Sequence, residues 1–549
     1  MTQAAPSRFP DPIAAGLARG WHVRDGATLP LDGPTTLEAD VVIVGTGAGG
    51  GTTAEILAAA GLRVLMLEEG GLFSSSTFRM RESEAYPALY QEAAARTTKD
   101  KGITILQGRA VGGTTVVNWT SSFRTPASTL AHWQDHYGLA DLSVATLTPW
   151  WERMERRLRV APWAAPPNRN NQVLANGLAK LGVAPQVIPR NVSGCLDLGY
   201  CGMGCPTNAK QSMLVTTIPA ALDRGAELLH RARAERLDYR RGGAPEVAVT
   251  LMDRDGRERR REALRVRARH VVLAGGAINT PALLLRSETP DPHRLIGTRT
   301  FLHPVIISPA LFADPIDAFA GAPQSIYSDH WNEPDAATGA MGFKLEVPPI
   351  HPVLIASMAV GFGPEHAAFM QRYRDTQVVL ALLRDGLHEE SPGGTVRLRD
   401  DGSPLLDYPL TTYVMEGARR AMLVMAEIQF AAGAESVIPF HERGTPARSL
   451  AEARAQIEGL PMRIPYARLS SAHVMGGCAM AADERLGATD SFGRLRHVEG
   501  VSVLDGSLFP TSLGANPQLS IYGVVARAAT RLAHDLGGRV IASADGATR

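Results

Sequence analysis

The 549-residue sequence has only four cysteines, too few for a disulfide framework in a chain of this length. It also lacks an excess of charge of either sign: 56 Lys and Arg stand against 55 Asp and Glu. That balance excludes a broad basic field for nucleic acid and an acidic tail. The densest basic run, Arg254–Arg267, includes Glu258 and Glu262 and alternates with apolar residues, as the face of a solvated hairpin does. No apolar run is long enough to span a bilayer, and the N-terminus has no continuous hydrophobic core of a secretory signal. The expectation is a protein that is not transmembrane and is made and kept in the cytosol. With 45% of its residues hydrophobic, the chain can bury a sizeable core in two or more lobes.

What the sequence does have is glycine placed with purpose. The stretch Asp40–Gly71 reads as strand (Val41–Val44), turn (Gly45-x-Gly47-x-x-Gly50), helix (Thr52–Ala60) and strand (Leu62–Leu67) closing on Glu68. Gly45 makes the turn, Gly47 lets a pyrophosphate approach the backbone, and Gly50 lets the helix press on the strand. The helix N-terminus offers free N–H groups to phosphate charge. Glu68 stands where a carboxylate takes the hydroxyls of an adenosine ribose. The pattern predicts dinucleotide binding and leaves FAD and NAD both open.

Further along, Phe73–Lys101 is polar and predicts a cover for the cofactor. Gln107–Trp119 is glycine-rich and almost uncharged: Gly112-Gly113 followed by Thr114-Thr115 permits close backbone approach to a flat or phosphorylated ligand, and Asn118 can hydrogen-bond it. Leu130–Leu181 has helical periodicity. Glu246–Thr250 and Leu264–Leu273 predict a hairpin around Asp255-Gly256, and Ala274–Ser287 repeats the sequence of strand, glycine turn and helix. From Ile306 to about Pro461, strand-like pieces (Val353–Val360, Val378–Leu383, Thr395–Arg399) and a helix near Tyr413–Gly433 predict an antiparallel sheet forming one wall of a substrate site.

Three of the cysteines lie close together as Cys195-x5-Cys201-x3-Cys205, followed directly by Pro206 and interleaved with Gly194, Gly199, Gly202 and Gly204. Three thiolates without a neighbouring histidine suit an iron–sulfur cluster with one uncoordinated corner, [3Fe–4S]. Free thiols packing a loop, or a disulfide in an oxidising compartment, are equally compatible with the residues.

Five separated motifs together resemble the glucose–methanol–choline (GMC) flavoprotein oxidoreductases over nearly the full length. They are Gly45-x-Gly47-x-x-Gly50 with Glu68; Gly108-Arg109-x-Val111-Gly112-Gly113-Thr114-Thr115-x-Val117-Asn118; Gly276-Ala277-x-x-Thr280-Pro281; Ser471-Ala472-His473-x-Met475-Gly476-Gly477-Cys478; and Asp505-Gly506-Ser507 with Gly514-x-Asn516-Pro517. Within the family the chain looks most like the long-chain alcohol oxidase and dehydrogenase branch. It departs from the family pattern at Ser122, where an aromatic is usual and Phe123 follows one place later, and at Glu288, where glycine is usual.

The resemblance implies an α/β fold: a Rossmann-like FAD-binding domain in several segments with a discontinuous substrate domain built on an antiparallel sheet plus helices, as in p-hydroxybenzoate hydroxylase. The segments expected are an N-terminal arm (1–37), FAD-binding parts (38–129, 225–305 and 465–549), a helical excursion with the cysteine loop (130–224) and a substrate domain (306–464). It also implies that FAD is retained, with Gly45, Gly47, Gly50, Glu68, Arg109, Gly112, Gly113, Thr114, Asn118, Gly276, Asp505, Gly506, Asn516 and Pro517 about it. His473 matches the catalytic histidine, the base that takes a hydroxyl proton as hydride leaves for flavin N5, and Asn516 its partner on the substrate oxygen. His303 and His351 could line the pocket, although an ordinary loop histidine is the commoner reading of each.

The expected activity is oxidation of a small-molecule alcohol, primary and with an apolar or long-chain body, because Val353–Gly363, Phe343 and Phe369 are apolar. Alternatives are a flavin-dependent lyase of the hydroxynitrile-cleaving type, and a sugar or sterol dehydrogenase of the same family. The cysteine spacing resembles that of the flavin subunit in bacterial glucose dehydrogenase complexes. If it holds a cluster, electrons leave through it to an acceptor, and a small export subunit that carries this chain to the periplasm or membrane is expected.

Overall fold

In the computed structural model the described residues are 9–30, 33–239, 244–359 and 361–539, with backbone alone for 260–263. Parts of the expected N-terminal arm and of the last FAD-binding segment, Val360 in the expected wall and four side chains of the basic hairpin lie outside them. Two sheets organise the molecule.

The first is built on Thr35–Val44, whose inner residues Val41, Val42 and Ile43 are fully buried. A continuous apolar run of this kind suits a strand covered on both faces. It lies parallel to Val64–Glu68 on one side and to Glu258–Leu273 on the other; Glu227–His230 and then Val23–Asp25 extend the sheet beyond Val64–Glu68. Val23–Asp25 falls inside the stretch read as an arm, which therefore adds an edge strand. Glu246–Met252 pairs antiparallel with Glu258–Leu273, the expected hairpin. The register sets Val44 beside Leu67 and Leu273, and Leu273 beside Val503, so three glycine-bearing turns leave the same edge. In a sheet of parallel strands that edge is where ligands bind.

The second sheet runs Ile103–Ile105, Leu469–Ser471, Val305–Leu311, Thr376–Leu383, Phe343–Glu346, Ile326–Ser328, and is antiparallel apart from the first pair. The helix Thr412–Ala432 packs on Val305–Leu311 and Thr376–Leu383. Thr411 caps its first turn by accepting from Val414 N, and Gly433 ends it at φ +101°. Arg169–Lys180, expected to belong to the helical excursion, packs against this helix and so against the substrate domain.

One element differs from expectation. Val353–Val360 reads as a strand, yet Pro352–Met358 is a helix. Pro352 stands at its first position, and the Glu82 carboxylate accepts from the N–H groups of Val353 and Leu354 at 2.7 and 2.8 Å. A capped start and a proline that cannot donate to a ladder outweigh the β-propensity of a short apolar run. No helix among the described residues is long and apolar enough to cross a membrane.

Candidate active site

A cavity of about 880 Å³ runs along the carboxyl edge of the first sheet and ends against the second. Its wall at one end is main chain. Gly45 turns at φ +96°, and a Cβ added to Gly50 would lie 1.9 Å from Gly45 O, so the helix packs on the turn with no room for a side chain. Gly47 differs: a Cβ there would meet nothing nearer than Gly113 Cα at 3.9 Å and would project into the cavity. Gly113, at φ +53°, brings the second glycine segment onto Gly47. Gly112 does not line the cavity; its N–H donates to Thr46 Oγ1 at 3.0 Å and ties the two turns. Thr114 Oγ1 accepts from Gly108 N at 3.0 Å.

Glu68 sits at the end of its strand as expected, but the protein already uses both of its oxygens. Oε2 accepts from Thr46 N (3.1 Å) and Oγ1 (2.7 Å), and Oε1 from Gly70 N (2.9 Å). Burial pushes its carboxyl up. Oε1, with a single donor, retains a second lone pair for a ribose hydroxyl. Glu69, which sequence reasoning passed over, also lines the cavity and accepts from Arg109 Nε at 2.8 Å and Gln91 at 3.1 Å. Asp505 is engaged by Gly276 N (2.8 Å), Thr280 Oγ1 (2.7 Å), Ser507 N (2.8 Å) and the Ser507 hydroxyl. Four donors make this buried carboxylate a knot between the second and third glycine turns; Gly276 and Gly506 beside it line the cavity. Asn118 donates from Nδ2 to Gln518 at 2.7 Å, while its buried Oδ1 has no partner. An unpaired acceptor on the wall suits a ligand with a ring N–H.

These features fit FAD: a glycine cradle for pyrophosphate, carboxylates at the nucleotide end, and space continuing past Asn118 to a polar terminus. That terminus holds His473, Asn516 and Pro517. His473 Nδ1 is 3.2 Å from Nδ1 of His303, whose Nε2 accepts from Gly514 N at 2.9 Å. His303 is almost fully buried at φ +44°, held by its own N–H and that of Leu302 on the Asp385 carboxylate at 3.0 and 2.9 Å. His303 is therefore a direct neighbour of His473, a pairing that its loop context did not reveal. Burial, then the charge of Lys344, pulls His473 down to about 3, so the imidazole is neutral at ordinary pH. His351 instead packs against Tyr200, with ring centroids 4.8 Å apart and the planes tilted by 34°, and does not line the cavity.

Two further groups stand behind Asn516. Lys344 and Glu346 are 3% exposed and fully buried by side chain, and 3.5 Å apart. Burial pulls Lys344 down to about 8 and pushes Glu346 up, and their mutual attraction opposes both. Phe343, expected in the substrate wall, is buried on the other side of the strand and stacks on Trp331.

The cysteine loop lies against the back of the Gln107–Trp119 segment. Lys210 Nζ donates to the carbonyls of Val116, Asn118 and Cys201 at 2.7, 2.6 and 2.6 Å, and Tyr90 OH donates to Gly202 O at 2.7 Å. Cys195, Cys201 and Cys205 are free thiols, partly buried. Burial pushes Cys195 up; for Cys205 burial is outweighed by hydrogen bonds from Thr207 and Lys210 N. Their sulfurs do not converge as ligands of one ion; among the described residues only the exposed His293, Glu484 and His497 do.

A two-domain flavoprotein with a histidine–asparagine terminus is the class that this fold and cavity define. Residues 86–305 and 390–524 match the N- and C-terminal models of GMC oxidoreductase, together more than half of the chain. The chain belongs to the GMC oxidoreductases and is an FAD-dependent oxidoreductase. It is 35% identical over 497 residues to an uncharacterized GMC-type oxidoreductase of Mycobacterium tuberculosis, covering 90% of this chain and 75% of that protein. A long-chain-alcohol oxidase of Arabidopsis thaliana is 29% identical, over 92% of this chain and 68% of its own. Among solved structures, a formate oxidase variant of Aspergillus oryzae superposes with a TM-score of 0.65 at 16% identity, over 91% of this chain and all of that one. That likeness is one of fold.

Proposed function

We propose that the chain oxidises a primary alcohol with an apolar body to the aldehyde. Bound FAD supplies a hydride acceptor at N5. The observation that carries the reading is a second, apolar chamber of about 70 Å³ that opens on His473. Its wall includes Leu106, Val305, Ile307, Ile350, Leu354 and Ile355, with no charged side chain, and it shares Trp119, Gln324 and Ala472 with the cofactor cavity. An alkyl chain lying there excludes water and brings its terminal oxygen to His473. The neutral imidazole of His473 takes the hydroxyl proton at Nδ1. That nitrogen accepts from His303 Nδ1 before the alcohol enters, and it exchanges this partner for the hydroxyl. Asn516 donates to the oxygen as negative charge develops on it. A sugar would strand its hydroxyls against aliphatic walls.

Anaerobic mixing with primary alcohols of graded length tests this. Bleaching of the flavin, with affinity rising with chain length, is expected. No bleaching by any alcohol, with turnover of a cyanohydrin, would replace oxidation with the lyase reading.

We further propose that Cys195, Cys201 and Cys205 hold a [3Fe–4S] cluster, which when bound supplies a one-electron carrier beside the flavin wall. Support comes from the loop's packing on Gln107–Trp119 and from two cations, Lys210 and Arg190, the latter 3.7 Å from Cys201 Sγ, which offset thiolate charge. The acceptor is then another protein or a quinone rather than oxygen. Iron analysis and paramagnetic resonance of anaerobically purified protein decide: flavin colour with no iron removes the cluster.

A further inference from the structure

The strand Phe343–Glu346 alternates apolar and charged residues, so Lys344 and Glu346 share one face. That face is buried against Asn516. Lys344 Nζ lies 3.0 Å from the centroid of the Phe123 ring and 4.5 Å from that of Tyr327, and 3.5 Å from Asn516 Oδ1. Asn516 Nδ2 donates to Glu346 Oε2 at 3.1 Å. Each end of the amide thus meets the charge that matches it, the oxygen an ammonium and the nitrogen a carboxylate. Turning the amide over would set oxygen against carboxylate and NH2 against ammonium, two repulsive contacts in a buried site. One N–H is engaged by Glu346; the other remains available as a donor.

Stability does not explain the pair. Buried ion pairs are often matched or bettered by apolar residues of similar volume, because desolvation cancels the attraction. Glu346 is also sparsely satisfied: among the described residues Oε2 accepts one hydrogen bond, from the Asn516 amide, and Oε1 has the Lys344 ammonium at 3.5 Å and no closer donor. A carboxylate held at such cost, whose other partner Lys344 also faces the Asn516 amide, acts on that amide. We infer that Lys344 and Glu346 are a positioning pair that locks the Asn516 amide with its nitrogen as the donor to the reacting oxygen. The inference rests on the alcohol-oxidation reading and assigns Phe123, displaced by one place from the family pattern, as the floor under the lysine.

The test is a cycle on the holoenzyme. Lys344→Met with Glu346→Leu removes the pair without stranding a charge; it is made with Asn516 intact and with Asn516→Ser, and the rate of anaerobic flavin reduction by a primary alcohol is measured separately from alcohol affinity. Expected is a loss of about 100-fold in rate with affinity within a few-fold, shrinking to less than about twofold once Asn516 is gone. An unchanged rate, or the same loss without Asn516, overturns the inference. If the double variant does not retain FAD, Glu346→Gln substitutes: its amide oxygen still accepts from Asn516, so a loss of only a few-fold supports positioning, and a loss as large as that of Asn516→Ser overturns it. Were no alcohol to bleach the wild-type flavin, the oxidation reading would fall on its own. Crystal structures would then decide, since an amide that keeps its place and partners after removal of the pair overturns the inference and one that moves supports it.

Discussion

At the nucleotide end of the cavity the wall is backbone: Gly45, Gly47, Gly50 and Gly113 leave main chain bare, and the two glycine turns touch each other directly. At the catalytic end it is side chain. His473, His303, Asn516 and the pair Lys344 and Glu346 come from four separated segments, and each is held by another of them or by a buried carboxylate. A backbone cradle is specified over a few neighbouring residues and tolerates no added atom. A side-chain constellation is specified across the whole chain and tolerates substitution at the expense of rate rather than of fold.

The largest expected effect breaks the first half of that comparison. Gly50→Ala drives a Cβ to within 1.9 Å of Gly45 O, a main-chain atom that cannot move aside. The purified protein is expected without flavin, read as the ratio of flavin to protein. Gly459→Ala, where a Cβ meets nothing within 4 Å, is the control and retains a full complement. Gly47→Ala sharpens the point: its Cβ enters the cavity rather than the protein, so the variant should fold with wild-type thermal stability and still lose FAD. A flavin-replete Gly50→Ala would mean that the turn is not the cradle.

Next in size is His473→Ala. Loss of a positioned proton acceptor costs about 100- to 10,000-fold. The rate of flavin reduction by alcohol should fall by that much while flavin content stays at the wild-type ratio. Turnover at the wild-type rate would end the assignment of His473.

The same contrast explains what the sequence showed. Glycine turns are local, so Gly45–Gly50, Gly108–Asn118 and Gly276 were placed from spacing alone, and the long apolar strand between them declared its burial. Helix ends carried their own signals at Thr411 and Gly433. The catalytic end was half legible. His473 and Asn516 lie in glycine-bearing motifs, whereas His303 looks like a loop residue before a proline, and only the fold brings it 3.2 Å from His473. Lys344 and Glu346 were hidden by a misleading pattern: alternating charge along a short strand ordinarily marks a face turned to water. Pro352–Met358 was misread because a run of seven residues, apolar but for Ser357, has no period that separates strand from helix.

A pH profile probes the coupling within the catalytic end. Burial first and Lys344 second lower His473 to about 3, and a histidine whose value is lowered keeps its neutral, proton-accepting form as pH falls. Flavin reduction should therefore show no acid limb between about pH 8 and about pH 5, where an ordinary imidazole near 6.5 would titrate. Lys344→Met removes the second cause, so the limb should move upward, toward the ordinary histidine range. A wild-type profile breaking near 6.5 would show that His473 is more solvated than its setting implies.

The smallest effect returns to the nucleotide end, at a side-chain pair on its wall. Arg109 Nε and Glu69 Oε1 are 2.8 Å apart, and each side chain is 24% exposed. A pair this accessible to solvent is worth up to about 1 kcal/mol, about a fivefold change in an equilibrium. Arg109→Ala should weaken FAD retention by no more than that, measured by titrating flavin-free protein, and should leave the reduction rate untouched because the guanidinium is remote from His473. A loss comparable with that of Gly47→Ala would show that the cradle relies on charge as well as on bare backbone.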